Sequence, residues 1–225
     1  MTPSDAGDDA PVTAPATAEE AALVEALRRG DEGAFATLVM TYHASLLRLA
    51  MSYVATAEQA EDAVQETWLG VLNGIDRFEG RSSLKTWIFR ILVNRAKTKG
   101  VREHRSVPFS SLEAAGGEGG GPSVDPARFE DAGGLAGAWS APPASWDGIP
   151  EERLLSAETR SVVDDAIAAL PPMQRAVITL RDVRGFSAPE AREVLGLTEA
   201  NERVLLHRAR SKVRARLEEY LASAA

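Results

Sequence analysis

A chain of 225 residues, 44% of them hydrophobic, is long enough for one or two packed units and too apolar to be disordered throughout. It has no cysteine, which removes disulfides, thiolate metal sites and cysteine nucleophiles, and its 25 Lys+Arg against 33 Asp+Glu leave a formal net charge of −8. No apolar run reaches membrane-spanning length and no basic segment leads into an apolar one near the start, so a cytoplasmic protein without membrane insertion is expected.

Residues 1–18, rich in Ala, Pro, Thr and Asp, read as a disordered tail. From Glu19 to about Gly100 the apolar spacing is helical. "AALVEALRRG" is amphipathic and stops on Gly30; Asp31 can cap the next helix, where Phe35, Leu38, Val39, Tyr42, Leu46, Leu49 and Tyr53 recur at three and four. "AEQAEDAVQETWLGVLNGI" is a third helix with Ala60, Ala63, Val64, Trp68, Val71 and Leu72 on one stripe. After the break "DRFEGRSS", a fourth helix, "SLKTWIFRILVNRAKTKG", turns Leu84, Trp87, Ile88, Ile91 and Leu92 inward and its bases outward. Four such helices can share one core.

Val107 to Pro150 holds nine Gly and six Pro with no periodicity, and its acids Glu113, Glu118, Asp125, Glu130, Asp131 and Asp147 face only Arg128. That composition makes a linker, although Trp139 and Trp146 in "AWSAPPASW" are unusual in an inert tether. Helices resume with "SAETRSVVDDAIAAL" and "MQRAVITLRDVRG", the latter opened by Pro172 and ended by Gly185. Ser187 and Glu190 have the spacing of a capping box. The short helix they start closes on Gly196, and Thr198 caps a longer helix with Leu206, Ala209, Val213, Leu217 and Tyr220 inward and Arg203, Arg210 and Arg214 on another face. A short helix, a Gly turn and a long half-basic helix follow the helix-turn-helix plan.

Charge placement says more than net charge. Residues 81–105 carry eight bases and one acid, and residues 203–216 six bases and no acid, so two stretches hold 14 of the 25 bases. Two basic elements on an acidic background suit two contacts with a polyanion. Against an enzyme, His43, His104 and His207 stand outside any HExxH or Ser-His-Asp pattern, and no phosphate-cradling Gly loop follows a strand. No catalytic residue, metal or cofactor is expected.

"DAVQETWL", "FEGRSSLKTWIFRILVNRAK" and "LPPMQRAVITLRDVRGFSAPEAREVLGLTEANERVLLHRAR" together resemble the bacterial RNA polymerase sigma factors of the sigma-70 family, in the small two-domain extracytoplasmic-function group. The resemblance covers about residues 19–106 and 151–221. It implies an all-α fold of two small helical domains joined by a long flexible linker. Residues 19–106 would be the region 2-like domain, 107–150 the linker and 151–225 the region 4-like helix-turn-helix domain.

On that resemblance Asp62, Gln65, Glu66, Trp68 and Leu69 dock on core RNA polymerase. Phe78, Arg81, Ser82, Ser83, Lys85, Arg90, Asn94, Arg95 and Lys97 hold the single-stranded −10 element of promoter DNA. Ser187, Thr198, Glu199, Asn201, Glu202, Arg203, His207, Arg208 and Arg210 meet the double-stranded −35 element. An anti-sigma factor is the further partner implied. The chain departs from the family pattern at "TEANERVLL", where Leu205 stands in place of a frequent base, which touches the identity of the −35 sequence. The rival reading is a helix-turn-helix regulator without polymerase docking, which leaves the basic fourth helix without a role.

Overall fold

The computed structural model describes residues 18–103 and 156–223. The expected linker, with Trp139 and Trp146, lies outside the described residues, as does the expected tail except Ala18, which already belongs to the first helix. Among the described residues all regular structure is helical.

The first unit contains α1 (Ala18–Arg28), α2 (Glu32–Ala50), α3 (Ala57–Gly74), a single 3₁₀ turn (Ile75–Arg77) and α4 (Leu84–Glu103). Its boundaries follow local chemistry. Gly30 takes the left-handed backbone, φ 73°, that ends α1. Asp31 accepts from the Ala34 amide at 2.9 Å, and Thr56 with Gln59 forms a full capping box on α3. Leu46, Leu49, Val64, Val71, Ile88 and Leu92 are buried at the centre. Leu72, expected on the inward stripe, is exposed, because the buried arc of α3 runs through Thr67, Trp68 and Val71 to Ile75 and leaves position 72 outside it. α3 and α4 approach closely: a Cβ at Gly70 would lie 3.1 Å from Ile91 Cγ2. α1 is strapped across the top, its Glu20 carboxylate accepting from the Leu84 amide at the start of α4 and Arg28 Nη2 donating to Phe78 O at 2.6 Å.

The second unit contains α5 (Ala157–Ala168), α6 (Pro172–Ile178), a π-helical turn (Thr179–Val183), α7 (Ala188–Leu195) and α8 (Glu199–Ser223). The continuous helix expected for "MQRAVITLRDVRG" is therefore divided. Arg184 N donates to Thr179 O at 3.0 Å, one residue wider than an α-turn, while Leu180 stays fully buried. The apolar spacing of an α-helix and of one widened turn is too similar for sequence to separate them. Ser187 and Glu190 make the expected capping box, Gly196 turns the chain at φ 71°, and Thr198 Oγ1 accepts from the Asn201 amide at 3.3 Å. Leu206, Ala209 and Leu217 of α8 are buried; Val213 and Tyr220 are half-buried.

The two units touch. α4 lies along α7, the π-turn reaches α2, and one hydrophobic cluster runs through both. Phe89 of α4 and Phe186, just before α7, pack edge to face at 5.0 Å and are each 1% exposed.

Candidate polymerase and nucleic-acid interfaces

The outer face of α3 carries Asp62, Gln65 and Leu69 exposed and Glu66 half-exposed, with Leu72 adding apolar surface. Trp68 is different. It is 8% exposed, packs edge to face on Phe35 at 5.8 Å, and its Nε1 has no hydrogen-bond partner among the described residues. It braces α3 against α2 and belongs to the packing of this unit. Lys99 of α4 reaches across to Asp62 Oδ2 at 3.3 Å and Glu66 Oε1 at 3.0 Å. Burial alone would lower this ammonium, but the hydrogen bonds and charges of Glu66 and Asp62 outweigh it and raise it above its ordinary value. A shallow groove beside this face is lined by Glu66, Leu69, Asn73 and Arg95, so the α3 surface and the basic helix adjoin.

The loop between α3 and α4 forms a cleft of about 320 Å³ lined by Arg77, Phe78, Glu79, Arg81, Ser82, Trp87, Arg90 and Glu193. Phe78 and Ser82 are buried in its floor, Phe78 tilted against Trp87 at 5.2 Å, and Arg81 stands exposed at the rim beside Glu79 at 3.0 Å. Aromatic floor, small hydroxyl and cationic rim suit a single unstacked base and its phosphate. Along α4, Asn94 and Arg95 face solvent. Lys85, Arg90 and Lys97 do not stand free. Lys85 Nζ donates to Arg184 O at 3.0 Å and lies 3.8 Å over the Phe186 ring. Arg90 pairs with Glu193 at 2.8 Å, and Lys97 Nζ donates to Leu195 O at 3.1 Å. Ser83 and Thr86 hydroxyls donate to Glu190 at 3.3 and 3.2 Å. Burial lowers the Lys85 ammonium; Glu190 opposes this, Arg184 adds to it, and the net shift is downward.

α8 sorts its residues by depth. Glu199, Asn201, Arg203 and His207 are exposed at its start, Arg208 is half-buried, and Arg203 is steadied by Glu199 at 2.8 Å one turn away. Glu202 is 5% exposed and sits 3.1 Å from Arg181 Nε, whose Nη1 donates to Phe186 O at 2.6 Å. It therefore anchors α8 to the π-turn instead of presenting a carboxylate outward. Arg210 is held bidentately by Asp182 at 2.8 and 2.6 Å, although half its side chain stays exposed. Ser187 and Thr198 are spent on their caps. Asn201 and Arg203, one turn into the helix, are thus the polar groups most available to a groove.

Two family models match the chain in the order of its two units: Sigma-70 region 2 over residues 38–106 and Sigma-70 region 4 over residues 160–213. It is 31% identical over 191 residues to the ECF RNA polymerase sigma-E factor of Escherichia coli K12, covering 85% of this chain and 90% of that one. The chain belongs to the ECF sigma factors of RNA polymerase. The RNA polymerase sigma-H factor of Pseudomonas aeruginosa is 30% identical over the same coverage. Among solved structures, the sigma factor RpoE of Bartonella quintana, crystallised with the anti-sigma factor NepR, shares the fold at TM-score 0.51 and 23% identity, over 81% of this chain and 96% of that one.

For this sigma factor, sequence reasoning overlooked Glu190 beyond its cap, Glu193, Arg181 and Asp182, and it missed the α3 partners of the basic Lys99. Each acts across a gap that helical spacing does not report: α7 to α4, α4 to α3, or the π-turn to α8. One signal was available. Glu190 and Glu193 stand three apart on a short helix, an acidic pair complementary to the basic fourth helix.

Proposed function

We propose that this sigma factor brings core RNA polymerase to its promoters through three separate surfaces, one on each of α3, α4 and α8. The exposed acids and apolar residues of α3 meet a basic, helical surface of the polymerase: Asp62, Gln65, Glu66 and Leu69, braced by Trp68. The cleft at Phe78, Arg81, Ser82 and Trp87 takes one extruded base of the −10 element. Ser83, Lys85, Arg90, Asn94, Arg95 and Lys97 follow the single strand beyond it. Trapping unstacked bases there drives strand opening without nucleotide hydrolysis. The start of α8 enters the major groove at the −35 element, with Asn201 and Arg203 reading base edges and Glu199, His207, Arg208 and Arg210 flanking them.

On this reading residues 19–106 and 151–225 are two working domains joined through 107–150. The protein acts in the cytoplasm, where the polymerase is, and it supplies recognition without catalysis. The observation that carries the reading is the pairing of the α3 acidic face with two basic elements in one chain. An anti-sigma factor is the expected regulatory partner, by analogy with the NepR-bound neighbour.

Reconstituting the chain with core polymerase and transcribing a promoter library tests class and specificity together. Selection of promoters sharing two spaced motifs is expected. Tight sequence-specific binding by the chain alone, with no polymerase association, would establish the simple regulator instead.

A further inference from the structure

The stretch "TEANERVLL" leaves an apolar side chain at a place where folding makes no use of one. Glu202, Leu206 and Ala209 are buried at the start of α8 and mark its inward side. With about 100° of rotation per residue, Ala200 and Val204 fall opposite them, on the midline of the outward face. Both are exposed. Among the described residues Val204, 48% exposed, is the one large apolar residue of α8 that stands so far out. Asn201 lies to one side of this midline and Arg203 to the other, with Arg208 one turn beyond Val204. Leu205, in the place of a frequent base, is half-buried and packs against the core. The apolar character of this turn therefore reaches solvent through Val204.

Neither burial nor helix propensity accounts for a valine there. A β-branched side chain forms helix less readily than alanine or leucine, and this one gains little from the core. In a DNA groove the same stiffness is useful. In a helix χ1 of valine is already nearly fixed, so its two methyl groups meet a surface with little rotamer freedom left to lose. The apolar group that the bases offer in the major groove is the C5-methyl of thymine. The flanking Asn201 and Arg203 are suited to hydrogen-bonding edges, of adenine and guanine respectively.

We propose that Val204 reads the C5-methyl group of a thymine in the −35 element and is a specificity-determining residue of this sigma factor. The inference rests on the assignment of α8 to the −35 groove and adds a base to it. The element then contains an A·T pair, with its thymine on either strand, that is chosen by an apolar contact and not by a hydrogen bond.

The probe is a promoter duplex selected by the reconstituted holoenzyme, with each −35 thymine in turn, on either strand, replaced by uracil. That exchange removes one methyl group and leaves every hydrogen-bonding group of the base in place. Wild-type holoenzyme is expected to bind about three- to fivefold more weakly when one particular thymine is exchanged, the ratio that burial of one methyl group supplies. Val204→Ala holoenzyme should bind the parent duplex more weakly by a similar factor, and should respond to uracil at that position by no more than about 1.5-fold. The melting midpoint of free Val204→Ala should be equal to or above that of the wild type, which separates loss of a contact from loss of the fold. A −35 element without an A·T pair, uracil without effect at every position, or an equal effect in wild type and Val204→Ala overturns the inference and leaves the sigma-factor function standing. A holoenzyme that selects no −35 motif overturns the assignment of α8, and this inference with it.

Discussion

Glu202 shows how burial reassigns a residue. In sequence it is one of several polar groups at the start of a recognition helix. In the structure its carboxylate is enclosed and paired with Arg181, a half-buried cation on the π-turn. Removing one partner of such a pair leaves the other desolvated, which costs more than the pair gains. Glu202→Gln is therefore expected to destabilise the fold by about 2 kcal/mol, seen as a lower urea midpoint at unchanged m-value. Base preference in the promoter library should stay the same. A shifted preference at one −35 position would show that Glu202 does reach DNA. Arg210 follows similar logic: Asp182 already occupies its guanidinium fork, so groove contact from this residue requires that pair to break or be shared.

The helices obey their local signals closely. Caps at Asp31, Thr56, Ser156 and Ser187 all fall where a short polar side chain precedes an apolar-periodic run. Gly196 is the most demanding position, because α7 must turn into α8 within three residues and does so at φ 71°. A Cβ there meets nothing within 4 Å, so the penalty for Gly196→Ala is conformational alone. It should cost about 1–2 kcal/mol, measured as a lower melting midpoint with retained helicity at low temperature. A loss below about 0.3 kcal/mol would mean that the turn relaxes to another geometry. Gly74 is the opposite case: its backbone is ordinary, and the obstacle is Trp87, whose Cζ2 would lie 3.2 Å from an added Cβ.

At the scale of the whole molecule, the proposed function assigns different work to the two basic elements. Arg203 lies at the exposed start of α8, the part assigned to the groove, whereas Lys97 lies along α4 on the assigned path of the single strand. Within holoenzyme, Arg203→Ala should weaken discrimination at one or two −35 positions by about 1–3 kcal/mol. Lys97→Ala should weaken all promoters alike and reduce the salt slope by about one counterion. Filter binding over a salt series on several promoters separates the two, and identical profiles for both variants would remove the division of roles. The chain is net −8 even with these two basic elements included, and its acidic remainder discourages contacts away from them.

Helical class, the main capping sites, the Gly-turn between α7 and α8 and the two basic stretches were readable because each depends on residues within about one turn of one another. Phe89 shows where that legibility stops. Its neighbours Ile88 and Leu92 mark the inward stripe of α4, and Phe89 lies one position off it. It is nevertheless buried, because Tyr42 of α2 and Phe186 from the other unit close over it. The widened turn at Thr179–Val183, the burial of Glu202 and the coverage of Lys85, Arg90 and Lys97 have the same origin. Sequence by itself determined which segments are helical and which faces are basic or apolar. Only the tertiary structure decided which basic residues face solvent, because a side chain's partner a hundred residues away leaves no periodic trace.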